Sequence, residues 1–295
     1  MATETVGFIG TGRMGAPMAG HLLAAGVPLV IHDAHPGAAR SLVERGAEWA
    51  ATPAGVAARA TTVITIVPSS REVEAVYAGL FSALGPAHLM VEMTSADPAS
   101  TRRLAKEAAA RGAAMIDAPV SGGVRGAVEA TLSIMVGGAA ADVERARPVL
   151  ARLGRKIFHV GGVGTGHAMK LVNNVTSAAC LMATAEAVVV AMRAGIEPAR
   201  AVEILQASSG RSNASETKFP RFILPGTFDS GFALALMTKD VDAFMRLAEE
   251  AGVETPVAAA AAAYFRRAMQ GPLAAEDHTA IVKLLGYPGG EGERR

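Results

Sequence analysis

The feature that most constrains this chain is a glycine-rich segment near its N-terminus. The apolar run Val6–Ile9 leads directly into the letters GTGRMG, residues 10–15. In a G-x-G-x-x-G pattern the first glycine makes a tight turn, the second lets the backbone approach a pyrophosphate, and the third lets helix and strand pack closely. The N–H groups at the start of the following helix then face the phosphates. The segment therefore predicts a strand, a turn and a helix that bind a dinucleotide.

This pattern is weak evidence by itself, because the chain holds 32 glycines and an ordinary glycine-rich turn has the same letters. A second apolar run, Pro28–His32, ends at Asp33, about 20 residues after the glycine pattern. An acidic residue at that distance binds the ribose hydroxyl groups of a dinucleotide. Asp33 therefore strengthens the dinucleotide interpretation.

Composition limits what else the chain can be. Its 295 residues suit two domains, and 51% hydrophobic with 19% charged residues predict a protein with a large core. A net charge of +1 and 4% aromatic residues are not typical of nucleic-acid binding, so we expect no such partner. The only cysteine, Cys180, excludes an internal disulfide and a cysteine-based metal site. It is expected to be buried as a small hydrophobe, and the cysteine usage is typical of a reducing compartment.

The sequence shows neither a targeting signal nor a clear membrane span. A strand-like run begins almost at the N-terminus, so we expect no secretory signal. The stretch most like a membrane span, Leu171–Met192, contains Asn173, Asn174 and Glu186, which predicts a buried helix and no membrane association. The chain is therefore expected to be cytoplasmic. The letters from Gly286 onward predict a frayed polar tail.

The first half of the chain alternates short apolar runs with alanine-rich helical segments. This alternation predicts a doubly wound, mostly parallel α/β sheet of the Rossmann type, whose ligands bind at the carboxyl ends of the strands. Strands are expected at Thr5–Ile9, Pro28–His32, Val63–Val67, His88–Glu92, Ala114–Asp117, Ser133–Val136 and Ile157–His159. Helices are expected at Pro17–Ala25, Pro36–Arg45, Ser70–Ala78, Pro98–Arg111 and Ala140–Leu153.

The pattern changes to long helical segments after the glycine cluster Gly161–Gly166. We therefore expect a dinucleotide-binding domain over residues 1–164 and an all-α domain over residues 165–295. Gly195 and Gly252 are expected to end helices, and Pro198 and Pro256 to begin them. The expected helices are His167–Ala194, Pro198–Ser208, Thr238–Ala251 and Thr255–Met269.

The helix predicted after the glycine cluster carries the strongest candidate for chemistry. Lys170, Asn174 and Ser177 share one stripe of this otherwise apolar helix, with Asn173 at its edge. Hydride transfer to a carbonyl needs a proton donor, and the reverse reaction needs an acceptor; a desolvated lysine serves both purposes. In the alternative interpretation, Lys170 extends to solvent and the asparagines form interhelical hydrogen bonds. Spacing alone leaves both interpretations open.

Three further groups are candidates for substrate binding. Ser121, Gly122 and Gly123 follow a predicted strand and would form a small cradle for a carboxylate, or a simple polar loop. Lys239 precedes an aspartate and follows Phe232 by seven positions; the lysine–aspartate pair would also suit an ordinary helix start. Arg211 would anchor a second anionic group or lie on the surface. The seven histidines have no metal-binding spacing, so no metal is expected.

These motifs together resemble the β-hydroxyacid dehydrogenases, the group of 3-hydroxyisobutyrate dehydrogenase and tartronate semialdehyde reductase. The resemblance extends over essentially the whole chain, and several motifs in order are far more specific than one. The matching segments are GFIGTGRMGAPMAGHL, VEMTSADP, DAPVSGG, GTGHAMKLVNN and the Lys239-Asp240 pair.

The resemblance implies a role for each matching residue. Lys170 would be the catalytic acid/base, with Asn174 beside it, and Ser121, Gly122 and Gly123 would hold the substrate carboxylate. Lys239 would close over substrate and cofactor. Cofactor contacts would come from Gly10, Thr11, Gly12, Arg13, Met14, Gly15, Asp33, Val67, Pro68, Thr94, Ser95, Phe232 and Lys239. The implied fold has a long interdomain helix and a helical C-terminal domain like that of 6-phosphogluconate dehydrogenase, which helps to form homodimers or homotetramers.

Two positions depart from the family pattern. Thr11 stands where the family often has leucine. At the end of the second strand the chain has His32-Asp33-Ala34, whereas NADP-preferring relatives resemble Asn-Arg there. An acid repels a 2′-phosphate and accepts hydrogen bonds from a free 2′-hydroxyl, so NAD is expected rather than NADP. Arg40 would oppose this preference if it reached the adenosine end.

The predicted activity is therefore hydride transfer between NAD and a small β-hydroxy acid, giving a semialdehyde or ketone. Two alternatives are an imine or related carbonyl reductase on the same scaffold and a catalytically silent dinucleotide-binding module. Lys170, Asn174 and the carboxylate-type loop at Ser121 argue against the reductase, and the presence of Lys170 argues against the silent module.

Overall fold

The computed structural model describes residues 4–288, so most of the tail predicted from Gly286 lies outside the described residues. The chain divides into two compact units between Lys170 and Leu171. That division falls inside one long helix, whose first residue is Thr165. The boundary expected between residues 164 and 165 coincides with the start of this helix, and we keep it as the proposed domain boundary.

The first unit is built on a sheet whose strand order is β3-β2-β1-β4-β5-β6-β8-β7, with β9 paired to β8. Pairing is parallel except between β6 and β8 and between β7 and β8. The order reverses direction between β1 and β4, which marks the switch point where such sheets bind ligands. The strands are β1 Val6–Ile9, β2 Leu29–His32, β3 Glu48–Trp49, β4 Thr62–Thr65, β5 Leu89–Glu92, β6 Ala114–Asp117, β7 Val120–Ser121, β8 Leu132–Gly137 and β9 Gly154–Gly161.

Helices connect the strands of this unit. Several begin where the sequence offers a cap: Ser69 and Asp97 accept hydrogen bonds from backbone N–H groups of the first turns that follow them. The helices are α1 Gly15–Ala24, α2 Pro36–Glu44, α3 Pro53–Ala57, α4 Ser70–Leu80, α5 Pro98–Ala109, α6 Gly123–Val128 and α7 Ala140–Leu150.

Alternating strand residues supply the core on the two faces of the sheet. Leu29 and Ile31 join the cluster on one face, and Val30 between them joins the cluster on the other. Phe8 and Ile9 of β1 divide in the same way. Strands covered on both faces carry continuous apolar runs, which is why these runs are visible in the sequence.

The second unit is helical within the described residues, apart from an isolated bridge between Ala233 and Asp277. Positive φ angles at Gly195 and Gly252 follow two of its helices, as expected for helix ends. Its elements are the greater part of α8 Thr165–Arg193, then α9 Pro198–Ala207, a π-type helix Ala214–Ile223, α10 Leu234–Glu250, α11 Pro256–Met269, and 3₁₀ segments Pro272–Ala275 and His278–Leu285.

Helix α8 is less buried than the sequence predicts. It is long and apolar enough to cross a membrane by length and composition, and 39% of its most apolar window is buried. Leu181, Ala185 and Val188 of this helix lie in the core of the second unit. Cys180, expected to be buried as a small hydrophobe, is only half-buried.

Candidate active site

The glycine pattern forms the turn between β1 and α1, and packing requires two of its three glycines. Gly10 has a φ of +96°, and a Cβ there would lie 2.0 Å from the carbonyl oxygen of Ile66. A Cβ on Gly15 would lie 1.9 Å from the carbonyl oxygen of Gly10. Gly12 has open space around it and is exposed. The open face at Gly12, before the first turn of α1, fits a pyrophosphate.

Asp33 lies at the end of β2 and is hydrogen-bonded to the glycine turn. Its Oδ2 accepts from the backbone N–H of Thr11 at 2.6 Å and from the Thr11 hydroxyl at 3.1 Å. Its Oδ1 accepts from the backbone N–H of His35 at 2.8 Å. Thr11, which departs from the family pattern, thus adds a hydroxyl contact to the expected ribose-binding acid. Arg40 is exposed on α2.

Hydrogen bonds also link the residues that follow β4 to those that follow β5. The backbone N–H of Val67 donates to the hydroxyl of Thr94 at 3.1 Å, and the N–H of Thr94 donates to Oε1 of Glu92 at 2.8 Å. Thr94 is buried, Ser95 half-buried and Pro68 exposed. β4 pairs with β1, and β5 pairs with β4, so Val67 and Thr94 follow the carboxyl ends of two adjacent strands at the edge where a dinucleotide is expected.

A fully buried polar cluster lies below this edge. His167 Nε2 is 3.0 Å from Oε2 of Glu92 and 2.7 Å from the carbonyl oxygen of Thr94, while its Nδ1 is 2.7 Å from the Thr101 hydroxyl. Burial alone lowers the pKa of His167, but the hydrogen bond and charge of Glu92 outweigh it and raise that pKa above the ordinary value. His167 therefore ties the first turn of α8 to the end of β5.

Asp117, at the end of β6, caps the same helix. Its Oδ1 accepts from the N–H of Gly164 at 2.6 Å, and its Oδ2 accepts from the N–H of His167 at 2.7 Å. Burial raises the pKa of Asp117, against the lowering effects of His167 and of the two amides. A carboxylate at a helix N-terminus satisfies N–H groups that otherwise lack partners. Glu92 and Asp117 lie in segments quoted from the sequence, but neither was assigned a role there; the available signal was a carboxylate that ends each of two buried strands.

Lys170 lies one turn after His167 and retains 8% of its accessible surface. This burial disagrees with the interpretation in which the side chain extends into solvent. Because Asp117 and His167 fix the start of α8, they also fix the backbone that carries Lys170. The structure therefore offers a buried amine on an anchored helix.

Asn174 follows one turn later and is 5% exposed. Its Nδ2 donates to Oδ2 of Asp240 at 2.6 Å, and its Oδ1 accepts from Asn173 at 3.1 Å. Asp240 is almost fully buried, and its Oδ1 lies 3.1 Å from Nζ of Lys239. The lysine–aspartate pair, predicted at the start of a helix, lies within α10. From the sequence alone, Asp240 receives no role, although it contacts both Asn174 and Lys239.

The loop expected to bind a carboxylate is a short strand followed by a turn. Ser121 belongs to β7 and pairs with Ser133 of β8. Gly122 and Gly123 have φ angles of +131° and +62°, and α6 begins at Gly123. Both glycines are exposed. Positive φ angles turn successive N–H groups toward a common side, as in anion-binding loops.

The remaining predicted site residues lie at exposed or partly buried positions. Arg13 is exposed, and Met14 is half-buried against the core. Phe232 donates its N–H to Oδ2 of Asp277 at 3.1 Å, and its ring meets His278 edge-on. Arg211 has a 66% exposed side chain 3.4 Å from Glu216, which is the surface position that the sequence left open. Within residues 4–288, no group of three His, Cys, Asp or Glu side chains is arranged to hold a metal ion.

Two family models cover nearly the whole chain. Residues 5–161 match the NAD binding domain of 6-phosphogluconate dehydrogenase. Residues 164–285 match the family described as NAD-binding of NADP-dependent 3-hydroxyisobutyrate dehydrogenase.

Full-length relatives agree with these models. The chain is 39% identical to 2-(hydroxymethyl)glutarate dehydrogenase of Eubacterium barkeri, covering 95% of this chain and 94% of the relative. It is 36% identical to the NAD-dependent L-serine dehydrogenase of Pseudomonas aeruginosa, covering 96% and 98%. The structure of Mycobacterium tuberculosis 3-hydroxyisobutyrate dehydrogenase with L-serine superposes with a TM-score of 0.90 at 33% identity, covering 96% and 99%. The chain therefore belongs to the β-hydroxyacid dehydrogenase family.

Proposed function

We propose that this chain oxidises a small β-hydroxy acid with NAD, and that Lys170 takes the hydroxyl proton as hydride leaves the hydroxyl-bearing carbon. The observation that carries the proposal is the buried Lys170 on the anchored first turns of α8, with Asn174 one turn further along the helix. The product is a semialdehyde or a ketone. In the reverse direction, Lys170 Nζ returns the proton to the carbonyl oxygen.

The other proposed site residues bind the substrate and orient it. Asn174 holds the substrate oxygen through its amide, which Asp240 keeps in one orientation. Ser121, Gly122 and Gly123 bind the substrate carboxylate through the Ser121 hydroxyl and backbone N–H groups. Lys239 contributes a cation held by Asp240, and Phe232 adds an apolar surface. A substrate contact for Arg211 stays a prediction.

The nicotinamide group supplies the hydride acceptor when NAD is bound. Gly10 to Gly15 hold the pyrophosphate, and Val67, Pro68, Thr94 and Ser95 line the sheet edge. Asp33 accepts hydrogen bonds from the ribose and repels a 2′-phosphate, so we propose a preference for NAD over NADP.

The names of the relatives suggest which substrates to try. The panel contains 3-hydroxyisobutyrate, L-serine, glycerate, threonate and 2-(hydroxymethyl)glutarate, each with NAD and with NADP, and a cyclic imine with the reduced cofactors. Oxidation of at least one hydroxy acid is expected, with no imine reduction. Imine reduction without hydroxy-acid oxidation would favour the reductase alternative, and no turnover at all would favour the silent module.

Lys170→Met tests the assigned proton transfer. General acid–base groups contribute about 10²–10⁴-fold, so turnover is expected to fall by at least about 100-fold. NAD affinity, measured by fluorescence titration, is expected to stay within about threefold. Lys156→Met, at an exposed lysine of the same unit, is the matched control. Wild-type turnover in Lys170→Met would refute the assignment.

We further propose that the protein is a cytoplasmic homodimer or homotetramer. The second unit exposes several large apolar side chains that suit contact with another copy, among them Val190, Ile204, Val253 and Val257. Light scattering after gel filtration tests the assembly, and a monomeric mass would contradict it.

A further inference from the structure

A second buried lysine lies in the helical unit, outside the residues to which a role has been assigned. Lys218, on the π-type helix Ala214–Ile223, is 6% exposed. Its Nζ donates to the hydroxyl of Ser177 at 2.8 Å and to the carbonyl oxygen of Ser177 at 3.2 Å. An ammonium group has three N–H donors. Within the described chain, Lys218 makes only these two hydrogen bonds and no ion pair.

Burying a charged ammonium group without a counter-ion costs free energy of folding. Removing an ammonium group from water costs several kcal/mol even after the surroundings relax. Burial lowers the pKa of Lys218 to about 8, against the raising effects of Cys180 and Asp277. The amine is therefore largely charged at neutral pH, although no carboxylate is in contact with it. One of its three N–H donors has no acceptor among residues 4–288.

Asp277 is the nearest acidic influence on Lys218, but its oxygens are already engaged. They accept from the Ser230 hydroxyl, the N–H groups of Gly231 and Phe232, and both the N–H and the hydroxyl of Thr279. Asp277 thus holds together the turn before α10 and the start of the last 3₁₀ segment. It does not serve as the partner of Lys218.

His278 provides a third polar group in the same neighbourhood. It is 4% exposed, and its Nδ1 lies 3.1 Å from the carbonyl oxygen of Phe232. Its Nε2 is buried and has no hydrogen-bond partner among residues 4–288. Burial and, to a smaller extent, the charge of Lys218 lower the pKa of His278, whereas Asp277, whose Oδ1 lies 3.4 Å from Nδ1, raises it; the net pKa is lowered. A second anion, beside Nε2, would counter the two lowering effects and turn Nε2 into a donor.

The position of Ser177 relates this cluster to the proposed substrate site. Ser177 follows Asn174 by three residues on α8, so the two share a face about 4.5 Å apart along the axis. That distance suits a side chain of about two or three carbon atoms, at about 1.5 Å per bond. Arg211, the sequence candidate for a second anion, is instead exposed and paired with Glu216.

We propose that Lys218, Ser177 and His278 form a subsite for a second carboxylate, and that the substrate is a dicarboxylic β-hydroxy acid. This inference rests on the proposed function, because it places the second carboxylate one helical turn beyond the amide of Asn174. It also explains the cationic charge of Lys218, whose counter-ion arrives with the substrate.

The test compares dicarboxylic and monocarboxylic substrates. Steady-state kcat and KM are measured with 2-(hydroxymethyl)glutarate, 3-hydroxyisobutyrate and L-serine for the wild type, Lys218→Met and Lys283→Met. Methionine keeps the length and apolar packing of the lysine stem. Lys283, in the same unit and paired with Glu276, is the matched control.

Loss of one charged hydrogen-bond partner predicts a fall of about 10–100-fold in kcat/KM on the dicarboxylate in Lys218→Met, mainly through KM. Both monocarboxylates are expected to change by less than about threefold, and Lys283→Met is expected to match the wild type. Equal losses on all three substrates, or no loss on the dicarboxylate, would overturn the subsite while leaving the hydroxy-acid activity in place.

A binding measurement separates this inference from the proposed function. Glutarate, which has two carboxylates and no hydroxyl group, is expected to raise the melting temperature of the wild type and not of Lys218→Met. If the wild type oxidises no hydroxy acid but shows this difference, the proposed function fails and the anion site stands. If glutarate stabilises both proteins equally, or neither, the subsite is refuted. Lys218→Gln replaces Lys218→Met if the methionine variant does not fold.

Discussion

The amide of Asn174 donates to the carboxylate of Asp240 at 2.6 Å, and both side chains are buried. This bond decides which way the amide points: Nδ2 faces the aspartate, and Oδ1 faces Asn173. An amide without such a charged partner has two orientations of similar energy. In the proposed mechanism, Asp240 therefore orients the amide that holds the substrate oxygen, and its other oxygen contacts Lys239.

Asp240→Asn is expected to lower kcat by about 10–100-fold, because a hydrogen bond to a charged group is replaced by one that either amide orientation satisfies. Steady-state kinetics on the best hydroxy acid measures this effect. Asp242→Asn, on the same helix and paired with Arg266 at the surface, is the control and should keep wild-type kcat. Unchanged kcat in Asp240→Asn would show that the amide is oriented by something else.

Asp33 is expected to decide between the two cofactors. Asp33→Ser removes the acceptor for the ribose and the charge that repels a 2′-phosphate, so the NAD/NADP ratio of kcat/KM should fall by at least about tenfold. Thr11→Val removes only the 3.1 Å hydroxyl contact and keeps the backbone one, so a smaller change is expected. If the ratio in Asp33→Ser equals that of the wild type, another residue selects the cofactor.

The buried cluster at the start of α8 predicts a pH-dependent stability. The folded-state pKa values of both His167 and Asp117 are raised, so the folded protein binds more protons than the unfolded chain. The contribution of His167 is fully present below pH 6.5 and is lost as pH rises through its raised folded pKa. Asp117 acts with the same sign from pH 3.8 upward.

In urea unfolding, the part of the free energy of unfolding that depends on His167 should therefore decrease as pH rises above 6.5, against the opposite contributions of Lys218 and His278, whose pKa values are lowered. His167→Gln is expected to flatten this part of the profile, whereas His35→Gln, at an exposed position, should leave it as in the wild type. A profile of equal slope in His167→Gln would mean that the histidine does not cause the dependence.

Gly166 and Gly37 offer a matched pair of substitutions with opposite expected signs. A Cβ on Gly166 would lie 2.4 Å from the carbonyl oxygen of Met135 and 2.9 Å from Oδ2 of Asp117. Gly166→Ala should destabilise the protein by about 2–3 kcal/mol, because backbone must move and the helix cap with it. Gly37, in α2, has nothing within 4 Å, and Gly37→Ala should stabilise by about 0.4–1 kcal/mol. Chemical denaturation measures both, and equal effects would contradict the packing argument.

Much of the first unit was predictable because its strands are short apolar runs separated by capped helices. The exceptions have physical reasons. β3 has only two residues, Glu48 and Trp49, and no apolar run, while Val120 and Ser121 of β7 resemble the start of a loop. The π-type helix contains Pro220, which interrupts the helical pattern in the sequence.

The candidate site was predictable only in part. Lys170 and Asn174 stand out because polar residues at helical spacing interrupt an apolar helix. Glu92 and Asp117 did not stand out, because their partner His167 lies far along the chain and only the fold brings the three together. The burial of Lys218 could not be predicted either, because its neighbours in the sequence are largely polar and only the folded unit buries the side chain.

The long helix α8 separates two tasks along its length. Its first turn is held by hydrogen bonds to Asp117, and Lys170, the proposed acid–base group, follows directly after this anchored turn. Residues after Asn174, such as Ser177, take no part in this anchor. Substitutions in these later turns are therefore expected to change which alcohol is accepted, while the anchored first turn keeps the proposed proton-transfer group in place.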